Sequence, residues 1–198
     1  MFHLAKSLYS RYTMKEEYAV LILGLDNAGK TTFFEKVKGL YTDLKVTPPE
    51  RIHPTVGQNV THISIDKISI KFWDLGGQES LRTMWEEYYD HCHGIIFIID
   101  STDKSRLEEC SEALLTVVNE EAVANVPILM LANKQDCEDS MEVTDVKEIF
   151  NKMAEHLSAR DSRVLPISAI TGDGVRDCID WIQVRMQRNK KERPPNYK

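Results

Sequence analysis

The chain has 198 residues, with 25 Lys+Arg against 31 Asp+Glu and a formal net charge of −6. A hydrophobic share of 42% and a charged share of 28% exclude a disordered or collagen-like chain and suit one globular domain. The longest apolar run, Tyr18 to Leu23, is far short of the roughly 20 residues a membrane-spanning helix needs. The N-terminus lacks the apolar core of a secretory signal, so a cytoplasmic protein is expected. Overall acidity argues against a nucleic-acid partner.

In chain order, residues 1–13 separate on a helical projection. Met1, Phe2, Leu4, Ala5, Leu8, Tyr9 and Tyr12 form one apolar, aromatic arc, and His3, Lys6, Ser7, Ser10, Arg11 and Thr13 fill the other. A basic polar face opposite aromatics suits a membrane surface, though the same stripe suits packing on the chain's own domain. Phe2 stands where myristoylation requires glycine, so that lipid is excluded.

Beyond this segment, short apolar runs alternate with longer mixed ones. Tyr18–Leu23, His62–Asp66, Ser69–Trp73, Gly94–Asp100, Pro127–Ala132 and Val164–Ile167 read as strands. The two flanking Asp66-Lys67 read as a hairpin. Lys30–Gly39, Leu81–Cys92, Lys104–Ala124, Val143–Leu157 and Val175–Arg188 read as helices, with Ser101-Thr102-Asp103 as an N-cap region. This order predicts an α/β fold with a mostly parallel six-stranded sheet and helices on both faces. Ligands in such sheets bind beyond the carboxyl ends of the strands. The expected division is an amphipathic segment at 1–15, a nucleotide-binding domain at 16–188 and a basic tail at 189–198.

Gly24-Leu25-Asp26-Asn27-Ala28-Gly29-Lys30-Thr31 follows the first strand and opens a helix, the context a phosphate-binding loop requires. Its backbone N–H groups and the helix N-terminus suit a phosphate chain. Lys30 is expected on the β- and γ-phosphates and the Thr31 hydroxyl on Mg²⁺, with Thr32 completing the loop. Asp74-Leu75-Gly76-Gly77-Gln78 follows the third strand. There Asp74 suits the Mg²⁺ shell, the Gly77 N–H suits the γ-phosphate and Gln78 suits the attacking water. Asn133-Lys134-Gln135-Asp136 follows the fifth strand. A buried Asp136 accepting from N1–H and N2–H selects guanine over adenine. Asn133 would brace the loops, and the Lys134 stem would cover the base. Ser168-Ala169 follows the last strand, where the Ala169 N–H would meet the guanine carbonyl.

These four motifs resemble those of the small GTPase superfamily. Their variants, with Pro54-Thr55-Val56-Gly57 and the Trp73 that precedes Asp74, resemble the ADP-ribosylation factor (ARF) and ARF-like family. The Met-Phe start, Pro54 to Asn59 and the Arg-Pro-Pro at 193–195 resemble its ARF-related branch. The resemblance implies a GTP/GDP switch and slow, activator-dependent GTP hydrolysis. It gives Thr55 a place on Mg²⁺ and the γ-phosphate, and makes residues 59–73 the hairpin between the two switches. It also implies an exchange factor, a GTPase-activating protein, golgin-type effectors and a monomer on trans-Golgi membranes. The Met-Phe end resembles a substrate for N-terminal acetylation, read by an integral Golgi receptor. Effectors would dock on Trp73 and Tyr88, with Gln58 standing where most ARFs have Phe.

Several features depart from that pattern or compete with it. The Tyr41–Pro54 stretch is longer than usual and rich in proline. Ile52 stands where heterotrimeric G-protein α subunits keep an arginine, so no built-in arginine finger is expected. Asp26 near the γ-phosphate should slow unassisted hydrolysis. His91-Cys92-His93 invites a metal reading, but the plainer one is a helix end running into a strand. The widely spaced Cys92, Cys110, Cys137 and Cys178 read as reduced thiols. A P-loop phosphotransferase has no need of Gln78 or Asn133–Asp136, and a switch locked in one state has no need of Lys30, Thr31, Thr55, Asp74 and Gln78 together.

Overall fold

A computed structural model describes residues 15–151, 153–157 and 160–197. The amphipathic 1–13 segment, including Phe2, Leu4, Leu8, Tyr9 and Tyr12, lies outside them. The elements are β1 (Glu16–Leu23), α1 (Lys30–Tyr41), β2 (Gln58–Ile65), β3 (Ile68–Leu75), α2 (Glu79–Arg82), β4 (Gly94–Asp100), α3 (Leu107–Asn119), β5 (Ile128–Asn133), α4 (Val143–Asn151), α5 (Ala154–Leu157), β6 (Ser162–Pro166), α6 (Val175–Arg188) and β7 (Asn196–Tyr197). The strand order is β2-β3-β1-β4-β5-β6, with the short β7 against β1. The β2–β3 pair is antiparallel, and every pairing from β3 to β6 is parallel. The fold is α/β, as expected.

The continuous apolar runs follow from burial on both sheet faces. Alternate residues of β1 divide between two cores. Leu21 and Leu23 pack with Ile95, Phe97 and Met130 under α3. Tyr18, Val20 and Ile22 pack with Ile96, Ile98 and Leu131 under α1 and α6. Each fully buried side chain of this size contributes about 1.5–3 kcal/mol.

Three expected helices differ in detail. Leu81–Cys92 is α2 followed by a 3-10 helix over Thr83–His91. Trp85 and Tyr89 still reach the core. Lys104–Ala124 divides into a 3-10 turn at Lys104–Arg106, α3, and a 3-10 turn at Glu121–Val123. The break falls at Glu120, which is extended (φ −70°, ψ 128°). Val143–Leu157 divides into α4 and α5. The expected cap at Ser101–Asp103 makes no side-chain capping bond. Asp100 Oδ1 instead accepts from the Thr102 N–H and hydroxyl.

The sheet has a seventh strand that the sequence did not announce. Residues 189–197 lie back on the domain. Tyr197 and Asn196 pair with Glu16 and Glu17, Lys190 pairs with Glu16, and Arg193 donates to the Ala122 carbonyl. This places the C-terminal strand beside the entry to β1, at the sheet end opposite the loops described next.

Candidate guanine-nucleotide site

The phosphate-binding loop leaves β1 at Gly24 and enters α1 through Gly29, whose φ of 92° is left-handed. A Cβ at Gly29 would lie 2.3 Å from Asn133 Nδ2, so this glycine lets the loop and the end of β5 touch. Asn133 fills that junction. Its Nδ2 donates to the Ala28 carbonyl at 2.8 Å, and its Oδ1 accepts the Ala169 N–H at 2.9 Å. Asn133 thus braces three loops. The Ala169 N–H, assigned from sequence to the guanine carbonyl, is engaged by Asn133, because a buried N–H needs a partner.

The loop forms one wall of a cavity of about 550 Å³ lined by Asp26, Asn27, Gly29, Lys30, Thr31, Thr32, Thr55, Gly77, Gln78 and Lys134, among others. Lys30 is buried and its Nζ donates to the Leu25 carbonyl at 2.6 Å. Burial lowers its pKa to about 8, against the opposing pull of Asp74 and Asp26.

Three hard oxygen donors converge beside it. Thr31 Oγ1 lies 2.8 Å from Thr55 Oγ1 and 2.9 Å from Asp74 Oδ2. Thr55 Oγ1 reaches the same carboxylate oxygen at 3.4 Å. Asp74 is fully buried, and its Oδ1 has no hydrogen-bond partner. Burial raises its pKa, opposed by hydrogen bonds from Asn59 and Thr31 and by the Lys30 charge. Two hydroxyls and a buried carboxylate with an unused oxygen fit a small divalent cation such as Mg²⁺. Asn59, which donates to Asp74 Oδ2 at 3.0 Å, was given no role from sequence, since a lone Asn at a strand start carries no signal.

The segment after β3 closes on the loop. The Asp26 N–H donates to the Gly77 carbonyl at 3.2 Å, and the Gly76 N–H to the Gly57 carbonyl at 3.1 Å. A Cβ at Gly77 would lie 2.3 Å from Lys30 Nζ and 2.4 Å from the Gly24 carbonyl. Gln78 is exposed at the N-cap of α2. The Tyr41–Pro54 stretch is largely irregular, with a 3-10 turn at Pro49–Arg51, and Thr55 follows it directly.

At the base end, Lys134 has a left-handed φ of 68° and an ion pair of 2.6 Å to Asp100. Asp136 is exposed, which differs from the buried carboxylate expected from sequence. It lines a neighbouring groove with Ser168, Asp173 and Asp177.

Trp73 and Tyr88 contact each other with ring centroids 4.9 Å apart, half-buried against the core. Lys71 Nζ stands 3.8 Å over the Trp73 ring. Trp73 pairs with Val60 in the ladder, and Gln58 pairs with Leu75, so Gln58, Val60 and Trp73 share one sheet face. The His91-Cys92-His93 segment holds no metal site: His93 Nδ1 accepts the Ala19 N–H and Nε2 meets the Pro194 carbonyl. Among the described residues, no group of three or more His, Cys, Asp and Glu side chains could hold a metal ion.

Fold and site together define a P-loop nucleotide-binding switch protein with a guanine-type base motif. Residues 4–186 match the sequence model of the ADP-ribosylation factor family, and the chain belongs to that family. It is 64% identical over its full length to ADP-ribosylation factor-like protein 3 of Saccharomyces cerevisiae, also at full coverage. It is 44% identical to human ADP-ribosylation factor-related protein 1, covering all of this chain and 98% of that one. Among solved structures, it resembles the Arl6 BBS3 small GTPase of Trypanosoma brucei with bound nucleotide analogue GppNp. That match has a TM-score of 0.76 and 27% identity, and covers 87% of this chain and 98% of the other. The protein is therefore a GTP-binding switch and a GTP hydrolase of the ARF/ARF-like type.

Proposed function

We propose that this GTPase is a membrane-traffic switch of the trans-Golgi, cytoplasmic with GDP and peripheral on the Golgi membrane with GTP. The observation that carries the switch is the closure of two distant segments on one loop: Thr55 meets Thr31, and Gly77 meets Asp26. Both segments then sense the phosphate end of a single ligand.

Lys30 would turn from the Leu25 carbonyl to the β- and γ-phosphates. Thr31 and Thr55 would hold Mg²⁺, with Asp74 accepting in its shell, and the ion would supply positive charge to the phosphate oxygens. Gln78 would orient the attacking water, and Asp136 would accept from the guanine N1–H and N2–H. Hydrolysis would release Thr55 and Gly77 together. The output would be exposure of the apolar arc of residues 1–13 to lipid. An acetylated Met-Phe end read by a Golgi receptor would supply a second anchoring signal, since one short helix binds lipid only marginally. Effectors of the golgin type would dock on the face carrying Gln58, Trp73 and Tyr88, with an exchange factor and an activating protein timing the cycle.

The test is subcellular fractionation of cells expressing Gln78→Leu and Thr31→Asn variants. The first is expected in the Golgi fraction and the second in the cytosol, and blocking acetylation should move the first to the cytosol. Equal distribution of both variants, or Golgi retention without acetylation, overturns this reading.

A further inference from the structure

A closed ring of polar contacts joins the phosphate-binding loop to the segment after β3, and none of its side chains except Asp26 belongs to the nucleotide motifs. Arg106, just before α3, pairs with Asp26 at 2.7 Å and with Glu109 at 2.9 Å. Glu109 also accepts from Arg82 of α2 at 2.5 Å. Arg82 Nε donates to the Gly77 carbonyl at 3.0 Å, and that carbonyl accepts the Asp26 N–H at 3.2 Å. The two arginines hold the Glu109 carboxyl below its usual range, and Glu109 and Asp26 raise Arg106.

The ring spans three chain segments, of which the one carrying Gly77 and Arg82 is expected to move with nucleotide state. From this geometry we propose that Arg106 is a positioning residue for the GTP-bound state. It neutralises Asp26 beside the γ-phosphate end and, through Glu109 and Arg82, fixes the Gly77 backbone against the loop. The inference rests on Gly77 being the switch contact to the γ-phosphate. It also modifies the expectation that Asp26 near the γ-phosphate slows unassisted hydrolysis, because its carboxylate already has a cation.

Two consequences separate this role from general structural support. The ring is complete only while Gly77 lies on the loop, so its loss weakens GTP more than GDP. Its members also act in series, so breaking a second link after the first adds little. Arginine's fork serves Asp26 and Glu109 at once, whereas lysine is a point charge, so Arg106→Lys should rescue only in part.

The experiment measures release of a fluorescent GTP analogue and of fluorescent GDP from full-length protein with Mg²⁺ present. Arg106→Gln, Arg106→Lys, Glu109→Gln, Arg82→Gln and the Glu109→Gln/Arg82→Gln double variant are compared. Losing a partly exposed charge pair of this kind is expected to speed release of the GTP analogue by about threefold to fivefold in Arg106→Gln, with GDP release within about twofold of the parent. The double variant should match its stronger single variant. Intrinsic fluorescence gives an independent readout, because Trp85 Nε1 donates to the Gly76 carbonyl at 2.9 Å, and its change on GTP loading should shrink in Arg106→Gln. Equal acceleration of both nucleotides, no acceleration of either, or additive effects in the double variant overturns the proposal. A parent protein that holds both nucleotides alike would instead refute the assignment of Gly77.

Discussion

The Thr31 and Thr55 hydroxyl oxygens lie 2.8 Å apart although 24 residues separate them in the chain. Thr31 is fixed by α1, while Thr55 ends an irregular stretch and is half-exposed. One donor is therefore permanent and the other conditional. Thr31→Ala is expected to speed release of both GDP and GTP about tenfold or more and to blunt the effect of chelating Mg²⁺, each tenfold corresponding to about 1.4 kcal/mol. Thr55→Ala should speed release of the GTP analogue alone. Nucleotide release measured with and without a chelator checks both, and a Thr55→Ala effect on GDP equal to that on GTP would show that Thr55 is fixed too.

Gly77 is required by space. An alanine Cβ there would meet Lys30 Nζ and the loop backbone at Gly24 and Leu25, all within 2.5 Å. Backbone cannot yield as a side-chain tip can, and forcing such a contact costs about 1–3 kcal/mol. Gly77→Ala is expected to keep GDP and to lose the fluorescence change on GTP loading. A normal response would mean that residues 76–78 adopt another path.

Base selection divides between a scaffold residue and a reading residue. Asn133 carries two buried hydrogen bonds, and its loss leaves the Ala28 carbonyl and the Ala169 N–H unsatisfied, at about 1–3 kcal/mol each. Asn133→Ala should lower the melting temperature and weaken both nucleotides. Asp136 is exposed, so Asp136→Asn should leave the melting temperature unchanged. An amide offers one donor and one acceptor, which suits the N1–H and C2 carbonyl of xanthine. That variant should lose GTP and gain xanthosine triphosphate in competition binding, and retained guanine preference would remove Asp136 from the base site.

Much of this site was legible because each motif follows a strand end, where α/β sheets place ligands. Glycines, a lysine and an Asn-Lys-x-Asp run announce themselves by local pattern. What was not legible was set by distance in the chain. Arg106, Glu109 and Arg82 are ordinary helix charges until the fold brings them to Asp26 and Gly77. Asn59 acquires its role only through the register that places it opposite Asp74. Residues 189–198 read only as a basic tail, and only the fold shows Lys190 on Glu16 and β7 on β1. The 3-10 character of residues 83–91 was hidden because nine residues are too few for the apolar period to separate three from 3.6 residues per turn.

The C-terminal tail, just before β7, is expected to make stability depend on pH through His93. The Ala19 N–H donates to Nδ1 at 2.9 Å, so Nδ1 carries no proton, and Nε2 donates to the Pro194 carbonyl at 3.0 Å. The neutral imidazole is thus the form that ties β1 to the tail. Burial is the chief cause that lowers its pKa below the usual 6.5. The unfolded chain takes up a proton near its ordinary pKa while the folded chain resists. Stability from this residue is therefore complete above about pH 6.5 and falls as pH drops toward the lower folded value. Thermal melting from about pH 7.5 to about pH 5.5 should show the parent losing more stability than His93→Gln, which has no titrating ring. Deleting residues 189–198 should lower the melting temperature by several degrees, about the effect of 1–2 kcal/mol in a domain of this size. The deletion should leave GDP affinity unchanged, because the strand lies at the sheet end opposite the phosphate-binding loop. A parent and His93→Gln with parallel pH profiles would show that another group carries the acid sensitivity.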